Sequence, residues 1–318
     1  MPLEIRVGHL STFYHTAILL MSGDPAFPFP GFEGGEVQWR LFGTGPAIVN
    51  AFEKGELDIA YIGLPPAIIG IGRGVGIRCV AGGHVEGTVI CGRLSDRGFP
   101  ETEDLGALLG QYSGKKIGVP GKGSIHDVIL TDCLEKYNLK GKIEVINFPW
   151  ADMVTEAMDR GSVAAAVGTP ALAVSLRAYV QGKIIYPPSR LWPHNPSYGI
   201  LVSLSFLERH RELVRTFLAA HEEATAFMRA RPEKAAEIIA RYIGFVKEEF
   251  VLEVLRVSPK YCAQLTDEYL SSTMEFASAL QRLGYIDRIP SRDLIFDTSL
   301  IRELHPPGSH YDDGIAGG

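Results

Sequence analysis

An internal repeat constrains this chain more than any other feature. Residues Val37–Phe42, the turn Gly43-Thr44-Gly45-Pro46, a helical run closing at Gly55 and the apolar run Leu57–Ile62 before Gly63-Leu64-Pro65 form one block. The same order returns as Ile143–Phe148, the turn Pro149-Trp150-Ala151-Asp152, a helical run closing at Gly161, and Val163–Val167 before Gly168-Thr169-Pro170. Ahead of each block a strand-like run feeds a loop and a histidine that opens a helix, Ile5–His15 in one case and Lys116–His126 in the other. Two similar α/β lobes, each large enough in a chain of 318 residues to bury its own core, predict a cleft between them where a small molecule binds.

The first lobe reads as strand 3–10, helix 15–21, strand 37–42, helix 45–54, strand 58–62, a helix opened by Pro65-Pro66, and strand 78–81 ending in the loop Gly82–Gly87. The insert Asp24–Gly31 carries too many prolines for a helix. Strand 88–91 leads to the second lobe, which repeats the order as strand 116–119, helix 124–137, strand 143–148, helix 152–159, strand 163–167 and a helix after Pro170. A strand at 184–186, a turn-rich stretch 187–196 and a return strand 198–203 follow. From Phe206 the pattern is helical: one amphipathic run to Ala230, then helices from Pro232, at 247–257 and at 267–283, all expected against the first lobe. Residues 306–318 read as a mobile tail. The lobes are therefore expected at 1–92 with 198–318, and at 93–197, joined by crossings near Gly92 and Tyr198 that would act as a hinge.

Composition removes several function classes. A net charge of -6 without a Lys/Arg cluster argues against nucleic acid as a partner. Cys79, Cys91, Cys133 and Cys262 fit neither a metal spacing nor a disulfide framework and read as buried thiols. No run of about 18 apolar residues would span a bilayer. Met1-Pro2 enters the first strand directly, so the expected location is extracytoplasmic if an export signal precedes this sequence and cytoplasmic otherwise.

Ligands of open α/β lobes collect at the carboxyl ends of strands and at helix N-termini. That rule selects Ser11, Thr12 and His15 after the first strand, Thr44 and Gly45, Leu64, and His84 with Glu86, while Phe13 in the same loop would, with Trp150 and Glu86, suit an aminated ring on the ligand. In the second lobe it selects Ser124 and His126, Trp150, and Thr169. Ser124 reads equally as a plain N-cap, the histidines as structural packing, and Trp150 as core or as a wall for a ligand ring. A catalytic reading is weaker. There is no G-x-S-x-G elbow, no H-E-x-x-H and no dinucleotide fingerprint, so no catalytic residue, metal or cofactor is expected. His84 and Glu86 alone could form an acid–base pair, although Glu86 would equally accept from a bound amine.

The order Gly43-Thr44-Gly45-Pro46, Gly55–Ala60, Gly63, Pro65-Pro66, Gly114–Pro120, Gly123-Ser124 and Ala157–Gly161 resembles the solute-binding proteins of ABC importers, nearest the nitrate, sulfonate, taurine and thiamine-pyrimidine group. The resemblance covers about residues 3–300. It implies an α/β, two-lobed type II periplasmic-binding fold with two crossover strands and a helical C-terminal region. It also implies a monomer that closes over one small anionic or heteroaromatic ligand and delivers it to a membrane permease. Family pockets draw on loops that here are Ser11–Thr12, Thr44–Gly45 and Gly123–Ser124. The cysteine-rich motif of the eukaryotic pyrimidine-synthesising relatives is missing, which argues against that activity. The alternative is a cytoplasmic enzyme of the futalosine route to menaquinone, whose members resemble the same fold.

Overall fold

The computed structural model describes residues 3–27 and 35–315. The first lobe opens with β1 (Leu3–Leu10), α1 (Ala17–Ser22), β2 (Gly35–Phe42), α2 (Gly45–Glu53), β3 (Ile59–Ile62), α3 (Leu64–Gly72) and β4 (Ile77–Val85). The second lobe contains β5 (Val89–Arg93), α4 (Leu105–Gly110), β6 (Lys116–Pro120), α5 (Ile125–Lys136), β7 (Glu144–Phe148), α6 (Asp152–Asp159), β8 (Ala165–Gly168), α7 (Pro170–Val180), β9 (Gly182–Tyr186) and the short α8 (Pro188–Leu191). The chain returns through β10 (Pro196–Ser203) to α9 (Leu204–Arg209), α10 (Arg211–Ala230), α11 (Pro232–Ile243), α12 (Glu248–Val257), α13 (Asp267–Arg282), α14 (Arg292–Ile295) and α15 (Ser299–Leu304).

The repeat is a repeat of topology. One sheet has the order β2-β1-β3-β10-β4 and the other β7-β6-β8-β5-β9. In each, a central strand pairs in parallel with its two repeat partners: β1 with β2 and β3, β6 with β7 and β8. Each sheet then takes one antiparallel strand from the crossing chain, β10 beside β3 in the first and β5 beside β8 in the second. The short runs β3 and β8 are buried along their whole length, as continuous apolar strands with helices on both faces must be.

Several expectations change. Strand β4 does not stop at Ala81 but runs through Gly82, Gly83 and His84 to Val85, because β10 and the segment around Tyr261 give it partners there. Strand β5 is hydrogen-bonded inside the second sheet, so the outward crossing lies at Glu86-Gly87-Thr88 rather than near Gly92. The return crossing follows α8 at residues 192–195, ahead of Tyr198. The amphipathic run from Phe206 is broken at His210, whose φ of -133° leaves the helical region, and divides into α9 and α10. The C-terminal helices pack on the first lobe through α1, α3 and β4, but α12 lies against α7 and α13 touches α5, both of the second lobe. Arg177 pairs with Glu253, and Arg282 with Asp132, across those contacts.

The tail is not loose up to residue 315. Tyr311 is buried, its ring stacks on Tyr269 at 6.1 Å and its hydroxyl donates to the Gln264 carbonyl. Ile315 is buried as well. Residues 316–318, and residues 28–31 of the proline-rich insert, lie outside the described residues. All four cysteines are free and buried, as their apolar neighbours predict. Among the described residues no helix is long and apolar enough to cross a membrane.

Candidate functional site

Between the lobes lies a tight cavity of about 40 Å³, lined by Ser11, Thr12, Tyr14, Gly43, Thr44, Gly45 and Gly63 from the first lobe and its edge, by Ser124, His126 and Thr169 from the second, and by Ser197 of the returning strand. Its walls are the carboxyl ends of β1, β2, β3, β6 and β8, the place where parallel strands hand the chain to helices. Four helices of at least eight residues begin on those walls. The N-caps of α2, α3, α5 and α7 are Thr44, Gly63, Ser124 and Thr169. First-turn amides of a helix have no intrahelical acceptor and sit at the positive end of its dipole, so this geometry turns donors toward the space between the lobes.

The sequence explains why those turns are available. Prolines 46, 65, 66 and 170 occupy the first turns of α2, α3 and α7, where a missing N–H is tolerated and φ is already helical. The amides of Gly45, Leu64, Ile125 and His126 are left as first-turn donors. Side chains add to them. The Thr12 hydroxyl is buried and has no hydrogen-bond partner, which in a cavity wall marks a donor waiting for an acceptor. Burial pushes the His126 imidazole down to about 3, so the ring is neutral, and its Nδ1 lies 3.0 Å from the Thr88 hydroxyl in the outward crossing. A neutral ring whose Nδ1 accepts the Thr88 proton carries its own on Nε2.

Seven of the fourteen residues selected from the sequence line this cavity: Ser11, Thr12, Thr44, Gly45, Ser124, His126 and Thr169. Two of those hydroxyls already have protein partners. Ser124 Oγ accepts from the Asp127 amide at 3.2 Å and donates to the Pro120 carbonyl at 3.0 Å, while Thr169 Oγ1 accepts from the Leu172 amide at 3.3 Å. Leu64 contributes only as the first residue of α3, since its side chain is buried in the core. Gly123 is the left-handed residue ahead of α5 (φ +81°), and its amide donates to Asp127 Oδ2 at 2.7 Å rather than to the cavity. Phe13 faces outward, edge-on to Phe250 at 5.6 Å, in a wider groove outside the cavity.

The other four stand elsewhere. His15 is buried behind the cavity with its ring centroid 4.1 Å from that of Tyr198, and burial holds it neutral, well below its ordinary pKa. His84 lies in strand β4 with Nε2 2.5 Å from the Ser258 carbonyl, and burial lowers it to about 4. Glu86 occupies a left-handed position in the crossing (φ +61°), accepts from the His194 amide at 2.9 Å and pairs with Lys260 at 3.2 Å. Glu86 thereby ties the two crossings and the C-terminal segment together. His84 and Glu86 do not form an acid–base pair at a cleft, because β4 continues through His84 and turns its ring into the core. Trp150 is partly exposed and closes over Gly43 from the opposite lobe: a Cβ on Gly43 would lie 2.9 Å from the indole and 2.6 Å from the Pro149 carbonyl. It is a clasp at the cleft edge rather than a wall of the cavity.

Tyr14 and Ser197 line the cavity without having been selected. Tyr14 follows the selected Ser11–Phe13 loop directly and carries a weak signal. Ser197 has none, since only the pairing of β10 with β3 and β4 brings it there, where its hydroxyl accepts from the Gly87 amide at 2.5 Å. Among the described residues no group of His, Cys, Asp and Glu could hold a metal ion.

Known proteins share this architecture. The chain is 25% identical over 255 residues to a putative binding protein of Brucella abortus (strain 2308), covering 79% of this chain and 75% of that one. It is 25% identical over 316 residues to a putative aliphatic sulfonates-binding protein of Bacillus subtilis (strain 168), covering 97% and 90% of the two chains. The crystal structure of the periplasmic aliphatic sulphonate-binding protein SsuA from Escherichia coli superposes with a TM-score of 0.74 at 16% identity, over 94% of this chain and 93% of that one. The two-lobed periplasmic-binding fold expected from the sequence is therefore the fold found, and the relatives are named for binding, which lends no support to the menaquinone-route alternative. The model of the NMT1-like family matches residues 4–244, and the chain belongs to that family.

Proposed function

We propose that this protein captures a small oxyanion, a sulfonate or carboxylate head, between its lobes and delivers it to an ABC-type permease in a membrane. The observation that carries the reading is the convergence of four helix N-termini and the unpartnered Thr12 hydroxyl on one interlobe cavity. Among the residues lining that cavity there is no Lys or Arg, so the negative charge is held by amides, hydroxyls and helix dipoles. The names of the sulfonate-binding relatives support the same chemistry. The reading takes residues 3–87 with 196–315 as one closing body and 88–195 as the other. It also takes the protein to work as a monomer outside the cytoplasm, without nucleic acid, and to release its ligand unchanged.

Isothermal titration with methanesulfonate, acetate and nitrate, followed by mass analysis of each ligand after incubation, tests it. The expected result is saturable binding of at least one anion with every ligand recovered intact. Loss of binding to all of them, or conversion of any, sinks the reading.

A further inference from the structure

Apart from the interlobe cavity, the fold gathers three side chains that are distant in the sequence: Glu222 of α10, Cys262 between α12 and α13, and His305 at the end of α15. His305 Nδ1 lies 2.6 Å from Glu222 Oε2, and its Nε2 lies 3.5 Å from Cys262 Sγ. The carboxylate and the sulfur take opposite ring nitrogens, the arrangement in which one group orients an imidazole toward another. Burial alone would lower the pKa of this ring, but its bonds to Cys262 and Glu222 lift it to about 10, so it is protonated at neutral pH. Nδ1–H then donates to Glu222, and Nε2–H is shared between Sγ and the Gly308 carbonyl, 3.1 Å away. An imidazolium beside a sulfur favours thiolate over thiol.

The other three cysteines differ. Cys79 donates to the Ala81 carbonyl at 3.4 Å, and among the described residues neither it nor Cys91 nor Cys133 is bonded to a histidine. Burial pushes each of these thiols up to about 12, as in inert core sulfur. Cys262 is buried too, so access decides what can reach it. A cavity of about 210 Å³ lined by Gln264, Thr298, Arg302 and Pro306 reaches His305. The adjoining stretch Pro306–Ser309 is exposed and belongs to no helix or strand. A cover of that kind opens more readily than a packed core, and it admits a reagent little larger than water.

We propose that Cys262 is a modification site at which hydrogen peroxide, or another small hydroperoxide, oxidises the sulfur to a sulfenic acid with His305 as the proton donor and Glu222 as its positioning residue. The thiolate attacks one peroxide oxygen, so that an S–O bond forms and the O–O bond breaks. Sulfur gives up two electrons, and the departing hydroxide takes the Nε2 proton of His305 and leaves as water. The products are the sulfenic acid and a neutral imidazole still held by Glu222. This site is independent of the anion cavity.

The test treats the full chain with hydrogen peroxide and dimedone at pH 7 and maps the adducts by peptide mass analysis. Cys262 should be trapped about tenfold or more faster than Cys79, Cys91 or Cys133, and Cys262→Ser should leave no fast site. His305→Gln and Glu222→Gln should slow the reaction at pH 7, by about tenfold or more for His305→Gln, and its rate should recover as the pH is raised past 9 and bulk base supplies the thiolate. The groups facing His305 in that profile are Glu222, Cys262 and His310, whose ring lies 5.1 Å away and is paired with Asp313. The three other cysteines report folding, since they react with iodoacetamide only when the chain opens. If a variant exposes them, the comparison of the four cysteines in the natural chain decides alone. Cys262 reacting no faster than its three counterparts, or a folded His305→Gln reacting at the natural rate at pH 7, overturns the proposal.

Discussion

The Ser124 hydroxyl has both of its bonds inside the protein, to the Pro120 carbonyl and the Asp127 amide, whereas that of Thr12 has neither. Their substitutions should therefore separate stability from binding. Ser124→Ala is expected to lower stability by about 1 kcal/mol, the scale of a lost N-cap, in thermal or urea unfolding. Thr12→Val keeps the shape, removes the donor and should weaken anion binding by about 1–2 kcal/mol in calorimetry without lowering stability, because the unliganded protein loses only an unsatisfied group. Equal affinity in Thr12→Val would take that hydroxyl out of the site. The histidines set a pH dependence. Burial holds His84 and His221 near 4 and His126 near 3, below the ordinary 6.5, so the unfolded chain binds more protons between these values. Their contribution to stability is complete above about pH 6.5 and is lost as the pH falls, about 2 kcal/mol for each by pH 5. His305 has the opposite sign. Burial alone would lower it, but hydrogen bonds to Cys262 and to Glu222 at 2.6 Å lift it to about 10, so its contribution is full below about 6.5 and fades as the pH rises toward 10. Urea midpoints measured from pH 4 to 10 should peak between these flanks, and a midpoint that stayed level down to pH 5 would contradict the burial of the neutral rings. The sequence places Ser124 at a helix start and His126 beside it, but which hydroxyl is already bonded depends on where Pro120 and Asp127 lie in space.

At the scale of elements, periodicity and turn residues carried most of the reading. The proline starts of α2, α3, α7 and α11 and the left-handed glycines after α2 and α6 fall where Pro and Gly stand in the sequence. The short helices α4, α8, α14 and α15 escaped because four to six residues give too few turns for a period of 3.6 to register. The extension of β4 escaped for another reason. Gly82 and Gly83 look like a turn, yet glycine is what the strand needs there, since Cβ atoms would lie 2.2 Å from the Tyr311 hydroxyl and 2.0 Å from the Tyr198 ring. The Pro, Gly and Ser content of the tail hides one anchoring aromatic ring, Tyr311. Tyr311→Ala, which empties a buried site against Tyr269, should lower stability by about 3 kcal/mol in urea unfolding. A change under about 0.5 kcal/mol would return the tail to the surface.

The whole molecule turns on the approach of its two lobes at Gly43 and Gly121. A Cβ on Gly121 would lie 2.8 Å from the Thr44 side chain, and one on Gly43 would meet Trp150 and Pro149. Gly43→Val should hold the cleft open and weaken ligand binding at least tenfold, with thermal stability of the unliganded protein unchanged within about 0.5 kcal/mol, because the obstruction acts between lobes and not within a core. Scattering with saturating ligand should show a smaller radius of gyration for the natural chain and no contraction for the variant, and contraction in both would dismiss the Gly43–Trp150 contact as the closing edge. Arg177–Glu253 and Arg282–Asp132 join the C-terminal helices to the second lobe, so those helices span the cleft instead of serving one lobe alone. By itself the sequence determined the two-lobed plan, the strand and helix order of each repeat, and the loops that carry the cavity, because hydrophobic period, caps and turn residues are local properties written along the chain. Tertiary structure alone decided that His15, His84 and Glu86 serve the core and the crossings, that Trp150 is a clasp, and that α12 completes an apolar groove. Those roles depend on which distant segments a side chain meets, and such contacts are fixed by the packing of the sheets rather than by any neighbour in the sequence.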